Sequence, residues 1–171
     1  RAHVERGGGG CAEGRGTHHR GRDPVIDREE QKRAAAERAV DHVESGMKLG
    51  LGTGSTAKHV LDVLHERLTD GRLRDIVGVP TSRATADYAR ELGIPLSELD
   101  RVLRLDLAID GADEVDPQLD LIKGLGGALL WEKIVESAAA AFIVVVDESK
   151  LVRRLGQRAP VPVEVVQFGW R

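Results

Sequence analysis

The stretch LDLAIDGADEVDPQLDLIKGLGG, from Leu105 to Gly127, ends an alternating apolar run with two carboxylates, Asp110 and Asp113, three residues apart. It then places one lysine, Lys123, before a glycine-rich loop. Carboxylates can move protons and an ammonium is a fixed positive charge, so these types are candidates for acid-base work beside a bound anion. Glu132 follows in the first turns of a helix expected to begin near Gly127 or Ala128. There the helix dipole stabilises a carboxylate, and a charged glutamate is a candidate base for a carbon-bound proton. Farther upstream, GTGST offers small residues, hydroxyls and a helix N-terminus at Thr53, Gly54, Ser55 and Thr56, a combination that cradles a phosphate. Each signal also has a plain structural reading. Ser55 or Thr56 can cap a helix, an Asp-Gly pair can only shape a turn, and a loop lysine or a glutamate at a helix start can be solvated.

Coincidence favours the chemical readings, because the elements expected from the sequence bring these residues to one edge. DREEQKRAAAERAVDHVES begins with an Asp cap and an acidic first turn, and its alanine-rich pattern predicts a helix from Asp27 to Gly46. MKLGL, a glycine turn and AKHVLDVLHERL, with Val60, Leu61, Leu64 and Leu68 on one face, predict strand, turn and helix. The unit recurs as DIVGVP, SRATADYAREL and a short IPL segment. RVLRLDLAID then alternates Leu103, Leu105, Leu107 and Ile109 on one side. ALLWEKIVESAAAA reads as a helix, FIVVVD as a strand buried on both faces, and VPVEVV as the start of one more strand. Strands alternating with helices predict an α/β fold, a Rossmann-like mostly parallel sheet flanked by helices. In such sheets ligands bind beyond the carboxyl ends of the strands. Thr53 to Thr56 follow one strand, Asp110 and Asp113 another, and Asp147 and Lys150 a third.

The totals restrict the partner. The chain has 171 residues, 41% hydrophobic and 31% charged, ordinary values for a domain with a core of its own. A net charge of -3 gives no global attraction to nucleic acid or to an anionic membrane, so a small anionic ligand held by a local site is expected. No apolar stretch approaches the roughly 20 residues of a membrane span, and the lone Cys11 suits a reducing compartment; a cytoplasmic setting is expected. Residues 1–24 hold seven glycines and little apolar periodicity, which predicts a disordered leader. Its His3, Cys11, His18 and His19 match no zinc spacing. GTGST is not a P-loop, and Gly50, Gly52 and Ser55 only approximate the dinucleotide fingerprint, with no ribose-binding acid after DIVGVP.

GLGTGSTA, VGVPTS, LAIDGADEVD, LIKGLGGALLWEKIV, VVDESK and PVEVV, in this order from about Asp27 to Val166, resemble ribose-5-phosphate isomerase type A. The resemblance implies a cofactor-free, metal-free aldose-ketose isomerase that interconverts ribose 5-phosphate and ribulose 5-phosphate through an enediolate in the pentose phosphate pathway. It implies Glu132 as the base, Asp110 as an aid to ring opening or hydroxyl proton transfer, and Lys123 as the cation for developing oxygen charge. It implies a substrate-binding set of Thr53, Gly54, Ser55, Thr56, Asp110, Gly111, Ala112, Asp113, Lys123, Gly124, Gly126 and Lys150, with Lys32 as a further candidate for the phosphate. It also implies a homodimer, with a sugar phosphate as partner and neither nucleic acid nor membrane.

Two positions depart from the family's usual KGGGGALLREKI. Leu125 stands where glycine is usual, and strain or obstruction is expected if that place needs a positive φ. Trp131 replaces an arginine beside the expected base. The family also continues past the equivalent of Arg171, so the expected organisation is a leader over 1–24, a Rossmann-like catalytic domain over 25–160, and the start of a truncated small α+β domain over 161–171. The unpaired edge this leaves predicts lower stability or association. An alternative is a sugar-phosphate-binding fragment that has lost turnover through truncation and Leu125; a dinucleotide-binding oxidoreductase is a third reading.

Overall fold

The computed structural model describes residues 2–6, 27–165 and 168–169. Helix α1 (Arg28–Val40) starts where the Asp27 carboxylate accepts the Glu29 N–H at 3.3 Å, and it buries Ala35, Ala36, Ala39 and Val40. It ends at Val40, short of Gly46, in a turn closed by His42 N–H to Ala39 and Val43 N–H to Val40. Strand β2 (Lys48–Leu51) leads through the glycine turn into α2 (Ser55–Thr69), which buries Val60, Leu61, Val63 and Leu64. Strand β3 (Val77–Pro80) and α3 (Arg83–Glu91) follow, the helix capped by Ser82 accepting the Thr85 N–H at 3.1 Å.

The run before Leu105 is not the strand its alternation suggests. Residues Leu99–Val102 form a short helix, α4, and Leu103 stops it in the left-handed region at φ 61°, with its side chain 80% exposed. Strand β4 (Leu105–Asp110) begins only after this turn, and a hairpin of β5 (Glu114–Val115) and β6 (Leu121–Ile122) comes next. Helix α5 (Leu129–Ser137) is shorter than its alanine-rich sequence suggests, because Ala139–Ala141 belong to β7 (Ala139–Val146). The parallel ladder with β4, Leu105 to Ala139 and Leu107 to Ala141, outweighs alanine's helical preference. A 3-10 turn, Glu148–Lys150, follows β7.

Within the stretch expected to be a disordered leader, Ala2–Arg6 forms strand β1, parallel to β7, where it takes up the backbone groups of an otherwise open sheet edge. His3 lies in that strand; Cys11, His18 and His19 lie outside the described residues. At the other end, residues 161–165 form no strand, and Val161 and Val163 are exposed. The expected strand VPVEVV is therefore not formed over its described part, since no neighbouring edge pairs with it.

The main sheet runs β1-β7-β4-β2-β3 with every adjacent pair parallel, confirming the α/β reading. Helices α1, α2 and α3 cover one face in a core that includes Val40, Leu49, Leu64 and Ala89. On the other face, Val135 of α5 packs with Val79 and Leu105. Gly50 permits this close approach: a Cβ there would lie 2.9 Å from both the Ala108 Cβ and the Val135 Cγ1. The helix that carries Glu132 is thus seated directly on the sheet, beside the strand ends.

Candidate active site

Parallel pairing of β2, β4 and β7 brings Gly52, Asp110 and Asp147 to one rim, as the strand order requires. Asp110 is 1% exposed, and its Oδ1 accepts the N–H groups of Thr53 at 2.9 Å and Gly111 at 2.7 Å. Gly52 makes room for this carboxylate, since a Cβ there would meet Asp110 Oδ1 at 2.2 Å. The GTGST loop is tied down behind: Thr85 Oγ1 donates to the Gly52 carbonyl at 2.9 Å, and the Thr53 hydroxyl meets that of Thr81 at 2.8 Å. Gly54 takes φ 106° at the entry to α2. Neither Ser55 nor Thr56 caps α2, because no side chain does, so the first-turn N–H groups remain free to meet an anion.

Lys123 leaves β6 and turns into the protein, where its side chain is 8% exposed. The ammonium donates to the Gly111 carbonyl at 2.5 Å and lies 3.2 Å from Asp110 Oδ2, 3.4 Å from Glu132 Oε2 and 3.1 Å from Glu136 Oε1. Asp110, Glu132 and Glu136 together have a spacing that could hold a metal ion. The ammonium stands within reach of all three and supplies the positive charge there. Burial alone would lower the Lys123 pKa, but the charges of Asp110, Glu136 and Glu132 outweigh it and hold it above the usual lysine value.

Glu132 is buried in the first turn of α5. Burial first, and the Asp110 charge second, raise its carboxyl pKa above the ordinary value; Lys123 opposes them only in part. A carboxylate so placed is a stronger base than one in water. Asp113 points its Oδ2 to the Leu125 N–H at 3.0 Å and so shapes the loop that follows Lys123. That loop bends at Gly124, φ 104°, and Gly127, φ 74°. Leu125 does not adopt a positive φ, so the expected strain does not arise; its side chain is half exposed and is not among the residues that line the cavity.

These residues surround a cavity of about 170 Å³. One wall is Thr53, Gly54, Ser55 and Thr56, and another is Gly111, Ala112 and Asp113. Lys123, Gly124, Gly126, Glu132 and Lys150 complete the lining. Of the residues expected from sequence, Asp110 and Lys32 do not line this hollow; Asp110 lies beneath it, held by Thr53 and Gly111. Lys32 is paired with Glu29 at 2.6 Å and is absent from the lining. Lys150 makes no ion pair among the described residues, unlike Lys123. Trp131 faces away, toward a larger hollow of about 670 Å³ that it lines with Pro80, Leu99 and Ile134, outside the cluster of buried charges.

Two carboxylates, the half-buried Glu136 and the buried Glu114, escaped the reading of the sequence. Glu136 stands four residues after Glu132, a spacing that places both on one face of α5 and was the available signal. Glu114 is 1% exposed and accepts the N–H groups of Gly156 at 2.6 Å, Arg158 at 2.5 Å and Ala159 at 2.7 Å. Burial alone would raise the Glu114 pKa, but these N–H groups outweigh it and hold the carboxyl below the ordinary range. Nothing in its spacing announces this role, since its partners are more than 40 residues away.

A family model for ribose 5-phosphate isomerase A (phosphoriboisomerase A) matches residues 77–171, more than half of the chain. The chain is 66% identical over 138 residues to ribose-5-phosphate isomerase A of Roseiflexus castenholzii (strain DSM 13941 / HLO8), covering 81% of this chain and 59% of the relative. It is 55% identical over 147 residues to probable ribose-5-phosphate isomerase 2 of Arabidopsis thaliana, covering 85% and 56%. Among solved structures, ribose 5-phosphate isomerase from Plasmodium falciparum superposes with a TM-score of 0.80 at 46% identity, over 83% of this chain and 61% of that one. A D-ribose-5-phosphate isomerase in complex with phospho-erythronic acid superposes with a TM-score of 0.77 at 51% identity, over 78% and 58%. The chain therefore spans less than two thirds of the length of these relatives.

Proposed function

The chain belongs to the ribose 5-phosphate isomerase A family, and from that membership and the site's geometry we propose that it interconverts ribose 5-phosphate and ribulose 5-phosphate. The observation that carries the reading is the single cavity lined by Glu132, Lys123, Asp113, Lys150 and the Thr53–Thr56 loop.

In this mechanism the phosphate rests against the free N–H groups at the start of α2 and the Lys150 ammonium. The relative solved with phospho-erythronic acid supports a phosphorylated sugar skeleton as the ligand. Phosphate binding remote from the reacting carbons orients the open-chain sugar. Glu132 takes the proton from C2 of the aldose, and the electron pair moves toward the carbonyl to give an enediolate. Lys123 meets the negative charge that appears on oxygen, a contribution of about 3 kcal/mol for one well-placed donor. The hydroxyl proton on the C2 oxygen then passes to the C1 oxygen, the carbonyl forms at C2, and the proton returns from Glu132 to C1, giving the ketose. Asp113 is placed for the sugar hydroxyls. Asp110, beneath the cavity, acts by holding Lys123 and the Thr53 loop; ring opening falls to groups that reach the ligand. The reading needs no cofactor. It also includes a homodimer, supported by the exposed Leu130, Trp131 and Ile134 of α5, and a cytoplasmic setting.

The test is ribulose 5-phosphate formation by this chain and by its Glu132→Gln variant. General base catalysis contributes roughly 10²–10⁴-fold, so the variant should lose at least about 10²-fold in kcat while ribose 5-phosphate binding is retained. A folded chain that binds ribose 5-phosphate without turnover, or a variant of near-normal rate, sinks the assignment. The binding-only alternative loses its local support, because Leu125 is not among the residues that line the cavity and does not strain the loop.

A further inference from the structure

Glu136 has no part in the steps above, yet it is built into the same buried cluster. One ammonium, that of Lys123, faces Glu136 Oε1 at 3.1 Å, Asp110 Oδ2 at 3.2 Å and Glu132 Oε2 at 3.4 Å. The three carboxylates offer oxygens within 4.8 Å of one another. Three anions around one cation, away from water, are costly, and such sites relieve the cost by keeping a proton on one carboxyl.

The surroundings indicate which one. Asp110 accepts two backbone N–H groups through Oδ1, and those bonds favour its anion. Glu132 is in the first turn of α5, where the helix dipole also favours the anion. Glu136 is next to the last residue of the same helix, where the dipole disfavours negative charge. Hydrogen bonding agrees: Asp110 Oδ2 and Glu136 Oε1 are both buried atoms, and among the described residues neither has a hydrogen-bond donor, although the ammonium is near both. A proton on Glu136 directed at Asp110 supplies the missing donor.

We propose that Glu136 is a positioning residue for the isomerisation: it keeps a proton against Asp110, so that Lys123 remains available to the substrate oxygen and Glu132 remains the ionised base. The inference rests on the isomerase reading of the cavity. The groups that face Glu136 are Lys123 after β6, Asp110 at the end of β4 and Glu132 on α5, with Asp113 acting on Glu132. In support, burial first, with Asp110, pushes the Glu136 carboxyl up to about 7 against the pull of Lys123. Above that pH an ionised Glu136 competes for Lys123 and turnover declines.

Infrared difference spectra of the whole chain across neutral pH read the proton directly, and kcat/KM for ribose 5-phosphate over the same range reads its consequence. The expected result is a protonated-carboxyl signal lost near pH 7 in the unsubstituted chain and in Glu132→Gln, and missing in Glu136→Gln. The decline in kcat/KM through that pH should flatten in Glu136→Gln, whose side chain is neutral throughout. Glu136→Asp, one methylene shorter, should move the titration toward the ordinary carboxyl range, which keeps the test available if the amide variant does not fold. Absence of a protonated carboxyl in the unsubstituted chain below neutrality overturns the proposal, as does a titration or pH profile that Glu136→Gln leaves unchanged. If the infrared signal behaves as expected but no ribulose 5-phosphate forms, the isomerase reading fails, and with it the positioning role, while the location of the proton stands.

Discussion

The Lys123 ammonium lies 3.4 Å from the Glu132 carboxylate, a cation carried by the loop after β6 set against a base carried by the first turn of α5. Both are buried, so their charges act on one another and on a ligand with little screening. Each is also needed to keep the other tolerable in the interior, and that mutual dependence guides the first prediction.

Lys123→Met removes the cation from a cluster of three carboxylates. Removing one partner of a buried ion pair costs about 3–5 kcal/mol, and a loss of that order is expected in urea unfolding at neutral pH. Part of it should return on acidification, because the raised carboxyls of Glu132 and Glu136 then take up protons and shed their unpaired charge. In the unsubstituted chain the raised Lys123 pKa adds stability that is complete below the unfolded lysine value of about 10.4 and lost as pH rises through the folded value. A Lys123→Met chain as stable as its parent at neutral pH would contradict the buried network.

Lys150→Ala separates binding from chemistry. Lys150 lines the cavity without an ion pair among the described residues and is remote from the proton transfer in the proposed mechanism. Steady-state kinetics should show KM for ribose 5-phosphate raised about tenfold and kcat changed less than about threefold. A large fall in kcat at constant KM would move Lys150 to the reacting end.

Glu114→Gln should loosen residues 156–159, whose backbone N–H groups the carboxylate gathers. Hydrogen exchange at Gly156, Arg158 and Ala159 should quicken by roughly tenfold or more. The sign with pH is the reverse of that for Glu136. Glu114 has a depressed pKa, so its contribution is present above the unfolded value of about 4.3 and fades as pH falls through the folded one. Unchanged exchange at these three amides would remove the proposed anchoring role.

Leu125→Gly should change kcat and KM by less than about threefold, because the leucine has an ordinary φ and stands outside the cavity. Stability should fall slightly, by about 0.5–1 kcal/mol, since glycine widens the freedom of the unfolded chain. A marked gain in turnover would show that the side chain obstructs the ligand after all.

Much of the site was legible because strands have a direction. Once MKLGL, LDLAID and FIVVVD are read as parallel strands, the residues after each must meet at one edge, and GTGST, Asp110, Asp113 and Lys150 do. Element ends were less legible. Leu103 looks like a strand residue by alternation but terminates a helix, and Ala139–Ala141 look helical by composition but pair with β4. In both places the tertiary partner overrides the local preference, and a single sequence carries no record of that partner.

The amino-acid order alone determined the α/β class and the chemical types gathered on the rim, because apolar periodicity and glycine turns act over a few residues. Only the folded structure decided that Asp110 lies under the cavity, that Leu125 is outside its lining, and that Glu136 shares the ammonium of Lys123. Those outcomes depend on distances of a few ångströms between segments far apart in the chain, set by how closely α5 can settle over Gly50.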